Sequence, residues 1–513
     1  MSKSLLRSMS TVSIMTFTSR ILGFVRDTLC ARYYGVNGSV DAFLVAFKIP
    51  NFMRNLFAEG CFSQAFVPIL SEYKTLKKED EIKLFISHVS GALALFLLLL
   101  TILGIVFAPA LVTLFAPGFA HGSLRHEWAS SMLRVTFPYI MLISLAAMAS
   151  AVLNTFNYFM APAFTPALLN ICLIAAMIWL SPFFAIPVKA QAWGVLIAGV
   201  VQLGFLMICL KRVGLLVRPK FSLRDAGVNR VLKLLMPALF GASIGQLSLL
   251  VNTIFASFLV VGSVTWLYYS ERLVFFPLGV FGVALATVVL PHLSSKHASK
   301  SQDDYTRALD WGLRCNLLIG LPAMICLIVL SAPLIISLFG YGKFTPHDVF
   351  MSQKSVLAYS FGLPSFMLVK VLSTAFFSRQ NTKTPVKIGV ASIVSTMILN
   401  AILIWPLAHT GLALASSLGS WINTILLCYF LYKQKIYSFQ KHWIKFSVQM
   451  LIANGLLALI LWYLAGSAQE WLAHHWLWRL LHMTELSVMG VVVYFGALYL
   501  LGMRWQHYRL FDA

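Results

Sequence analysis

The sequence has few charged residues, and acidic residues are the scarcest among them. Only 11% of its 513 residues are charged, with 17 Asp and Glu against 39 Lys and Arg, whereas soluble domains carry roughly 25% charged residues. Hydrophobic residues make up 59% of the chain, and the stretches 89–114 and 451–465 contain no charge. Apolar runs of this kind indicate membrane-spanning helices. The composition therefore predicts a polytopic membrane protein and excludes a water-soluble fold.

Motifs for catalysis, ATP hydrolysis and metal binding are missing from the sequence. Its 7 cysteines form no CxxC pair, and it contains neither a GxxxxGK[ST] run nor HExxH. Residues 241–245 (GASIG) match the hydrolase pattern GxSxG, but in this apolar stretch the spacing favours close helix packing. We therefore expect no enzymatic activity, no cofactor and no metal site.

Hydropathy predicts an all-α protein with about fourteen membrane spans. We place them at residues 7–34, 40–72, 83–116, 126–157, 163–183, 188–210, 231–260, 264–293, 306–339, 348–378, 385–406, 410–432, 443–465 and 478–503. The loops alternate in charge: the loop 211–224 has five basic residues and 35–40 has none. Cytoplasmic loops accumulate Lys and Arg, so both termini are predicted to be cytoplasmic. The same rule explains the net charge of +22 without nucleic acid.

Short motifs recur at an offset of about 220 residues, which indicates an internal repeat. The sequence VPILS at 67–71 returns as LPHLS at 290–294, and the Ala-Pro step at 108–109 returns at 332–333. Each copy holds six spans, an even number, so both copies share one orientation. Such a parallel repeat is typical of two-lobed transporters with a central cavity. We expect lobes at 1–220 and 221–435 and an added pair of helices at 436–513.

Several polar residues lie inside predicted spans, where a charge costs roughly 2.5–3.5 kcal/mol. The candidate binding residues are Arg20, Arg26, Asp27, Asp41, Lys48, Asn51, Arg54, Glu59, Arg272 and Lys370. In the second span, a polar stripe about 80° wide carries Asp41, Lys48, Asn51, Asn55 and Glu59. Pro50 is expected to turn Arg54 toward this stripe. Surplus arginines favour a phosphate-bearing substrate. The alternative is that the acids merely pair with the arginines and lock the helices together.

Longer motifs then suggest a family. The segments SRILGFVRD from Ser19, DAFLVAFKIPN from Asp41, FAEG from Phe57, WLYYSERL from Trp266 and KTPVKI from Lys383 resemble the MurJ (MviN) lipid II flippases. These belong to the multidrug/oligosaccharidyl-lipid/polysaccharide exporter superfamily. The resemblance implies two six-helix lobes and a C-terminal helix pair that forms a groove for the undecaprenyl tail. It also implies that the four arginines hold the diphosphate of lipid II, with Asp27, Asp41 and Lys370 at further cavity positions.

The resemblance further implies a monomer of the bacterial inner membrane that flips this peptidoglycan precursor from the inner to the outer leaflet by alternating access. One departure is that Phe275 stands where relatives have an acid. Two other interpretations stay open. A drug, metabolite or other polysaccharide-lipid exporter of the superfamily would prefer acids in its cavity when its substrate is cationic. A glycan-polymerising membrane enzyme would need an essential acid.

Overall fold

The structure of the chain is a computed structural model that describes residues 3–54, 62–222, 225–299, 301–437 and 442–504. The side chains of residues 3–13, 64 and 236–249 also lie outside the described part. Within these limits every regular element is helical, and ten helical segments are long and apolar enough to cross a membrane. The expected all-α membrane architecture is confirmed, while the count of fourteen spans and the two-lobe arrangement stay predictions.

The chain divides into two compact units, Met1–Thr265 and Trp266–Ala513. The helices of the first unit are α1 Lys3–Tyr34, α2 Gly38–Arg54, α3 Phe62–Leu76, α4 Glu79–Val106, α5 Ala108–Phe115, α6 Leu124–Thr136, α7 Tyr139–Thr155, α8 Met160–Ala175, α9 Lys189–Arg212 and α10 Ala226–Ser257. A π-helical turn, Ala176–Leu180, extends α8. The predicted second span corresponds to α2 and α3, and residues 55–61 between them, including Glu59, lie outside the described residues.

The second unit begins within a helix. Its helices are α11 Ser263–Pro277, α12 Val283–Ala298, α13 Gln302–Val329, α14 Ser331–Phe339, α15 Pro346–Phe377, α16 Lys383–Lys433, α17 His442–Ala465, α18 Ala468–Ala473 and α19 Trp476–Leu500. A π-helical turn, Leu278–Gly282, joins α11 to α12. Helix α16 is interrupted at Ala408, which has φ 49° and ψ −129°. This interruption coincides with the predicted separation of the eleventh and twelfth spans.

The same helix break occurs once in each unit. Phe107 separates α4 from α5 with φ −91° and ψ 15°, and Leu330 separates α13 from α14 with φ −95° and ψ 16°. In both cases an Ala-Pro step follows in the first turn of the shorter helix, where a proline without a backbone N–H is tolerated. Equivalent backbone geometry about 220 residues apart supports the internal repeat seen in the sequence.

The segment between α9 and α10 is bound to the side of α4. The backbone carbonyl of Ser87 accepts a hydrogen bond from the Lys220 backbone N–H (3.0 Å), and the Ser87 hydroxyl donates to the Arg218 carbonyl (2.5 Å). Gly91 packs directly on the Lys220 carbonyl, leaving no room for a Cβ. Because α10 then packs on α3, α4 and α5, the first compact unit extends to Thr265. The predicted lobe boundaries at 220/221 and 435/436 stay predictions.

Asp225 links this segment to α10 and gives a pH dependence. Its carboxylate accepts hydrogen bonds from the backbone N–H groups of Gly227 (2.8 Å) and Val228 (3.2 Å), and it lies 2.8 Å from His88 Nδ1. Burial alone would raise the pKa of Asp225, but these hydrogen bonds hold that pKa below its usual value.

A lowered pKa in the folded state means that this contribution to stability is complete above the unfolded pKa, about 3.9, and is lost as the pH falls through the folded value. We therefore expect Asp225→Asn to lower the melting temperature at pH 7. The difference from the unmodified protein should shrink as the pH drops below about 4. Melting curves of the two proteins between pH 7 and pH 3 test this, and a constant difference over that range would contradict it.

Arg479 connects α19 to the ends of α14 and α18 within the second unit. This residue of α19 is 7% exposed, and its guanidinium donates to the backbone carbonyls of Ile336 (3.3 Å) and Gly340 (3.1 Å) at the end of α14. It also donates to the carbonyls of Leu472 (3.0 Å) and His474 (2.9 Å) at the end of α18. One buried cation thus satisfies carbonyl groups that two helix ends leave without helical partners.

Candidate functional site

Arg26 on α1 is neutralised by its neighbour in the sequence. Its Nε and Nη2 atoms donate to Asp27 Oδ1 at 2.9 and 2.6 Å, and Nη1 donates to Asn170 Oδ1 on α8 at 3.1 Å. Asn170 in turn donates to the Ser19 carbonyl (3.0 Å). Arg26 and Asp27 are 7% and 3% exposed, so the pair is buried. For this arginine the structure shows the ion pair that the alternative interpretation describes.

Asp41 on α2 is completely buried and holds the chain segment that leads into α11. Its carboxylate accepts hydrogen bonds from the backbone N–H groups of Gly262 (2.6 Å) and Thr265 (3.0 Å) and from the Thr265 hydroxyl (2.6 Å). A carboxylate that accepts two backbone N–H bonds at the start of a helix stabilises that helix end. Contact between Asp41 and a substrate stays a prediction.

The polar face of α2 continues toward the end of the helix. Arg54 Nε donates to Asn51 Oδ1 (3.0 Å), which places the guanidinium on the same face as the amide. Lys48, Asn51 and Arg54 are all half-buried, in contrast to Asp41. The amide group of Asn51 that accepts this hydrogen bond is uncharged. Glu59, the last member of the predicted stripe, lies outside the described residues.

Arg272 on α11 is held by an aromatic ring one helical turn away. Its Nε and Nη2 atoms donate to the Tyr268 hydroxyl at 3.3 and 3.2 Å, and its guanidinium carbon lies 5.3 Å from the centre of the Tyr268 ring. Arg272 is exposed on the surface of the second unit. The phenol is a neutral partner that orients the guanidinium, and the planar array of N–H donors of a guanidinium suits a pair of phosphate oxygens.

The neighbouring acid, Glu271, points to a different helix. The Tyr359 hydroxyl on α15 donates to Glu271 Oε1 (3.0 Å). The Phe275 ring packs against the Tyr359 ring, with centroids 6.1 Å apart, and against the Phe366 ring at 5.4 Å. At the position where the sequence departs from the family it resembles, the side chain therefore contributes apolar packing on α15.

Of the two other candidates, Arg20 belongs to the first unit and Lys370 to the second. Arg20 is half-buried on α1, and Lys370 is exposed on α15. Within the first unit the structure brings together Arg26 with Asp27 and Arg54 with Asn51. For all of the candidates, contact with substrate stays a prediction.

Sequence reasoning overlooked Asp310, a buried acid of α13. It is 2% exposed and accepts hydrogen bonds from the Tyr437 hydroxyl (2.6 Å) and from Trp443 Nε1 (2.6 Å) at the start of α17. Its other oxygen lies 2.9 Å from His442 Nε2 and 2.8 Å from Arg314 Nε. The signal in the sequence was the Asp310–Arg314 spacing of four residues, which places both side chains on one helix face.

Among the described residues, no group of three or more His, Cys, Asp or Glu side chains is placed to hold a metal ion. His474 stacks on Trp478 with ring centroids 4.0 Å apart, and its Nδ1 atom lies 2.8 Å from the Glu470 carbonyl oxygen. These contacts join α18 to α19.

The helical arrangement is similar to that of membrane transporters of known structure. An inward-facing multidrug transporter of the MATE family, in the MOP superfamily, matches 82% of this chain and 94% of its own with a TM-score of 0.65. At 15% identity this likeness concerns the fold alone. A lipid II flippase MurJ in an inward closed conformation matches 95% of this chain and 97% of its own, with 30% identity and a TM-score of 0.79.

Sequence comparison then identifies the family. The family model described as lipid II flippase MurJ matches residues 30–482. The chain is 42% identical to a probable lipid II flippase MurJ of Vibrio cholerae, over 98% of this chain and 97% of that protein. It is 39% identical to the lipid II flippase MurJ of Burkholderia cenocepacia, over 98% and 99%. The chain belongs to the lipid II flippase MurJ family, and the resemblance seen in its motifs is confirmed.

Proposed function

We infer that this protein is a multi-pass transporter of the bacterial inner membrane that flips lipid II, the precursor of peptidoglycan, and that it is not an enzyme. The observation that carries this conclusion is its identity of 39–42% with lipid II flippases along nearly the whole chain. The basic loops further support an orientation with both termini in the cytoplasm, and we propose that the protein acts as a monomer.

The arginines supply a physical basis for recognising the substrate. Lipid II carries a diphosphate between its undecaprenyl tail and its sugar-peptide head, and a guanidinium binds phosphate oxygens through two parallel hydrogen bonds. Arg54 donates a hydrogen bond to the amide oxygen of Asn51, and Arg272 donates to the hydroxyl of Tyr268. In this proposal these two arginines, with Arg20 and Lys370, hold the diphosphate while the head group crosses.

The mechanism we propose is alternating access. The internal repeat, supported by the equivalent breaks at Phe107 and Leu330, is typical of transporters in which two halves rock about a central site. Lipid II enters from the inner leaflet, its diphosphate binds the arginines, and its head crosses in a hydrated cavity while the tail remains in lipid. No covalent bond changes.

Reconstituted vesicles test this function directly. Purified protein should move fluorescent lipid II between leaflets much faster than the same glycan lipid with an uncharged ether linkage in place of the diphosphate. Equal rates for both lipids would contradict recognition of the diphosphate and favour a less selective exporter. Formation of a glycan polymer from lipid II would instead reveal a polymerising enzyme. Vesicles without protein measure the spontaneous rate.

A further inference from the structure

Three polar contacts connect one face of α11 to one face of α15. Trp266 Nε1 donates to Asp348 Oδ1 (3.0 Å), and the Ser270 hydroxyl donates to the Ser352 carbonyl (2.9 Å). The third contact is the hydrogen bond from the Tyr359 hydroxyl to Glu271 Oε1 (3.0 Å). The α15 members are four and seven residues apart and therefore lie on one face of that helix. We refer to these three contacts as the α11–α15 zipper.

Water cannot easily replace the zipper contacts, because all of the groups except the half-buried Glu271 are buried. Trp266 is 4% exposed, Asp348 is 6% exposed and Tyr359 is 1% exposed. Both carboxylate oxygens of Asp348 accept hydrogen bonds. Oδ1 accepts from Trp266, and Oδ2 accepts from the Thr345 backbone N–H (2.9 Å) and hydroxyl (2.7 Å) in the capping box of α15. Losing one donor would leave a buried acceptor with reduced hydrogen bonding.

The zipper fixes the rotation of α11 about its axis. Apolar contacts between membrane helices are non-directional, whereas hydrogen bonds require a defined distance and angle. With about 100° between successive residues, Arg272 lies roughly 150° from the centre of the face formed by Trp266, Ser270, Glu271 and Phe275. Arg272 therefore points away from α15, in agreement with its exposure.

The zipper also holds Glu271 on the side of α15, away from the arginine that follows it. An acid and an arginine that are adjacent in the chain can form an ion pair, as Arg26 and Asp27 do at 2.6 Å. The Tyr359 hydroxyl engages the Glu271 carboxylate instead. Without that hydroxyl, Glu271 could turn to Arg272 and compete with a bound anion for the same guanidinium.

We propose that Trp266, Asp348 and Tyr359 are positioning residues that fix the direction of Arg272 for binding the diphosphate of lipid II. This inference rests on the proposed function, because it requires Arg272 to contact the substrate. It assigns a role to residues that themselves need not touch lipid II. It also assigns Phe275 a place on the zipper face, where its ring packs on Tyr359 and Phe366.

Two conservative variants test the zipper. Trp266→Phe and Tyr359→Phe each remove one hydrogen-bond donor and keep an aromatic ring, so that the ring contacts of Trp266 with His347 and His409 and of Tyr359 with Phe275 can persist. Each variant should bind lipid II about fivefold more weakly, the effect of one lost hydrogen bond. The affinity is measured on purified protein in nanodiscs, and flipping is measured in vesicles.

Ser365→Ala is the matched control. The Ser365 hydroxyl of the unmodified protein forms buried contacts between α15 and α16, with Ser420 Oγ and Thr424 Oγ1 (both 2.8 Å). These contacts lie outside the zipper. We expect a change in melting temperature similar to that of the zipper variants, with unchanged affinity for lipid II. An equal loss of affinity in Ser365→Ala would show a general effect of loosening α15 and would overturn the inference.

A double-mutant cycle decides whether the zipper acts through Arg272. In an Arg272→Ala background, Trp266→Phe and Tyr359→Phe should cause no further loss of affinity. The same fivefold loss in that background, or unchanged affinity of both single variants, would overturn the zipper proposal while leaving the proposed function intact. Unchanged affinity of Arg272→Ala itself would overturn both the zipper proposal and the proposed role of Arg272 in diphosphate binding.

Discussion

Replacing Arg54 by alanine is expected to slow the flipping of lipid II by about a hundredfold, because two charge-assisted hydrogen bonds to phosphate are worth about 3 kcal/mol together. The folded state should survive, since Arg54 and Asn51, which accepts its hydrogen bond, are both only half-buried. Arg54→Lys should give an intermediate rate, because lysine keeps the charge but lacks the planar fork. Flipping rates in vesicles and melting temperatures in detergent measure both effects.

Arg230→Ala is the matched control for Arg54. Arg230 also belongs to the first unit, but it forms a two-bond ion pair with Glu72 at an exposed position (2.9 and 2.7 Å). Exposed ion pairs contribute little to stability, so this variant should flip lipid II at the rate of the unmodified protein. If Arg54→Ala were as active as Arg230→Ala, Arg54 would not be part of the diphosphate site.

Replacing Arg26 alone by alanine is expected to lower the free energy of unfolding by about 3–5 kcal/mol, because the Asp27 carboxylate would remain buried without its ion-pair partner. The double variant Arg26→Met, Asp27→Leu removes both charges and fills similar volume. It should regain most of the lost stability, although Asn170 Oδ1 still loses a donor. Unfolding in a denaturing detergent, followed by circular dichroism, gives the comparison.

The same double variant shows whether Arg26 serves transport or only folding. If Arg26 helps to hold the diphosphate, the variant should be stable but slow in vesicles. A stable variant that flips lipid II normally would confine Arg26 and Asp27 to a structural role. Equal stability of Arg26→Ala and the unmodified protein would contradict the buried ion pair.

Hydropathy predicted where helices lie, because each span must satisfy its backbone hydrogen bonds internally and bury apolar side chains in lipid. It could not predict the breaks at Phe107 and Leu330, since one residue outside helical geometry leaves the mean hydropathy of a span unchanged. Nor could it predict the hydrogen bond from the Lys220 backbone N–H to the Ser87 carbonyl oxygen (3.0 Å), because these two groups are far apart in the chain.

For the candidate site, the sequence predicted the types of residue but not their partners. Residues adjacent on a helix point in directions about 100° apart, so helix geometry alone does not favour the Arg26–Asp27 pair. The partners of Asp41 lie 221 and 224 residues further along the chain, beyond the reach of any local pattern. Tyr359, whose hydroxyl donates to Glu271, likewise lies 88 residues after the acid.

Asp310 has a consequence for biosynthesis. Its partner Tyr437 is 127 residues downstream, so a ribosome adding about 5–20 residues per second completes Tyr437 roughly 6–25 seconds after Asp310. During that interval Arg314, one turn along the same nascent helix, is the nearby cation that can accompany the carboxylate into the bilayer. We therefore expect Arg314 to partner the Asp310 carboxylate during insertion, before the C-terminal helices that complete its shielding have emerged.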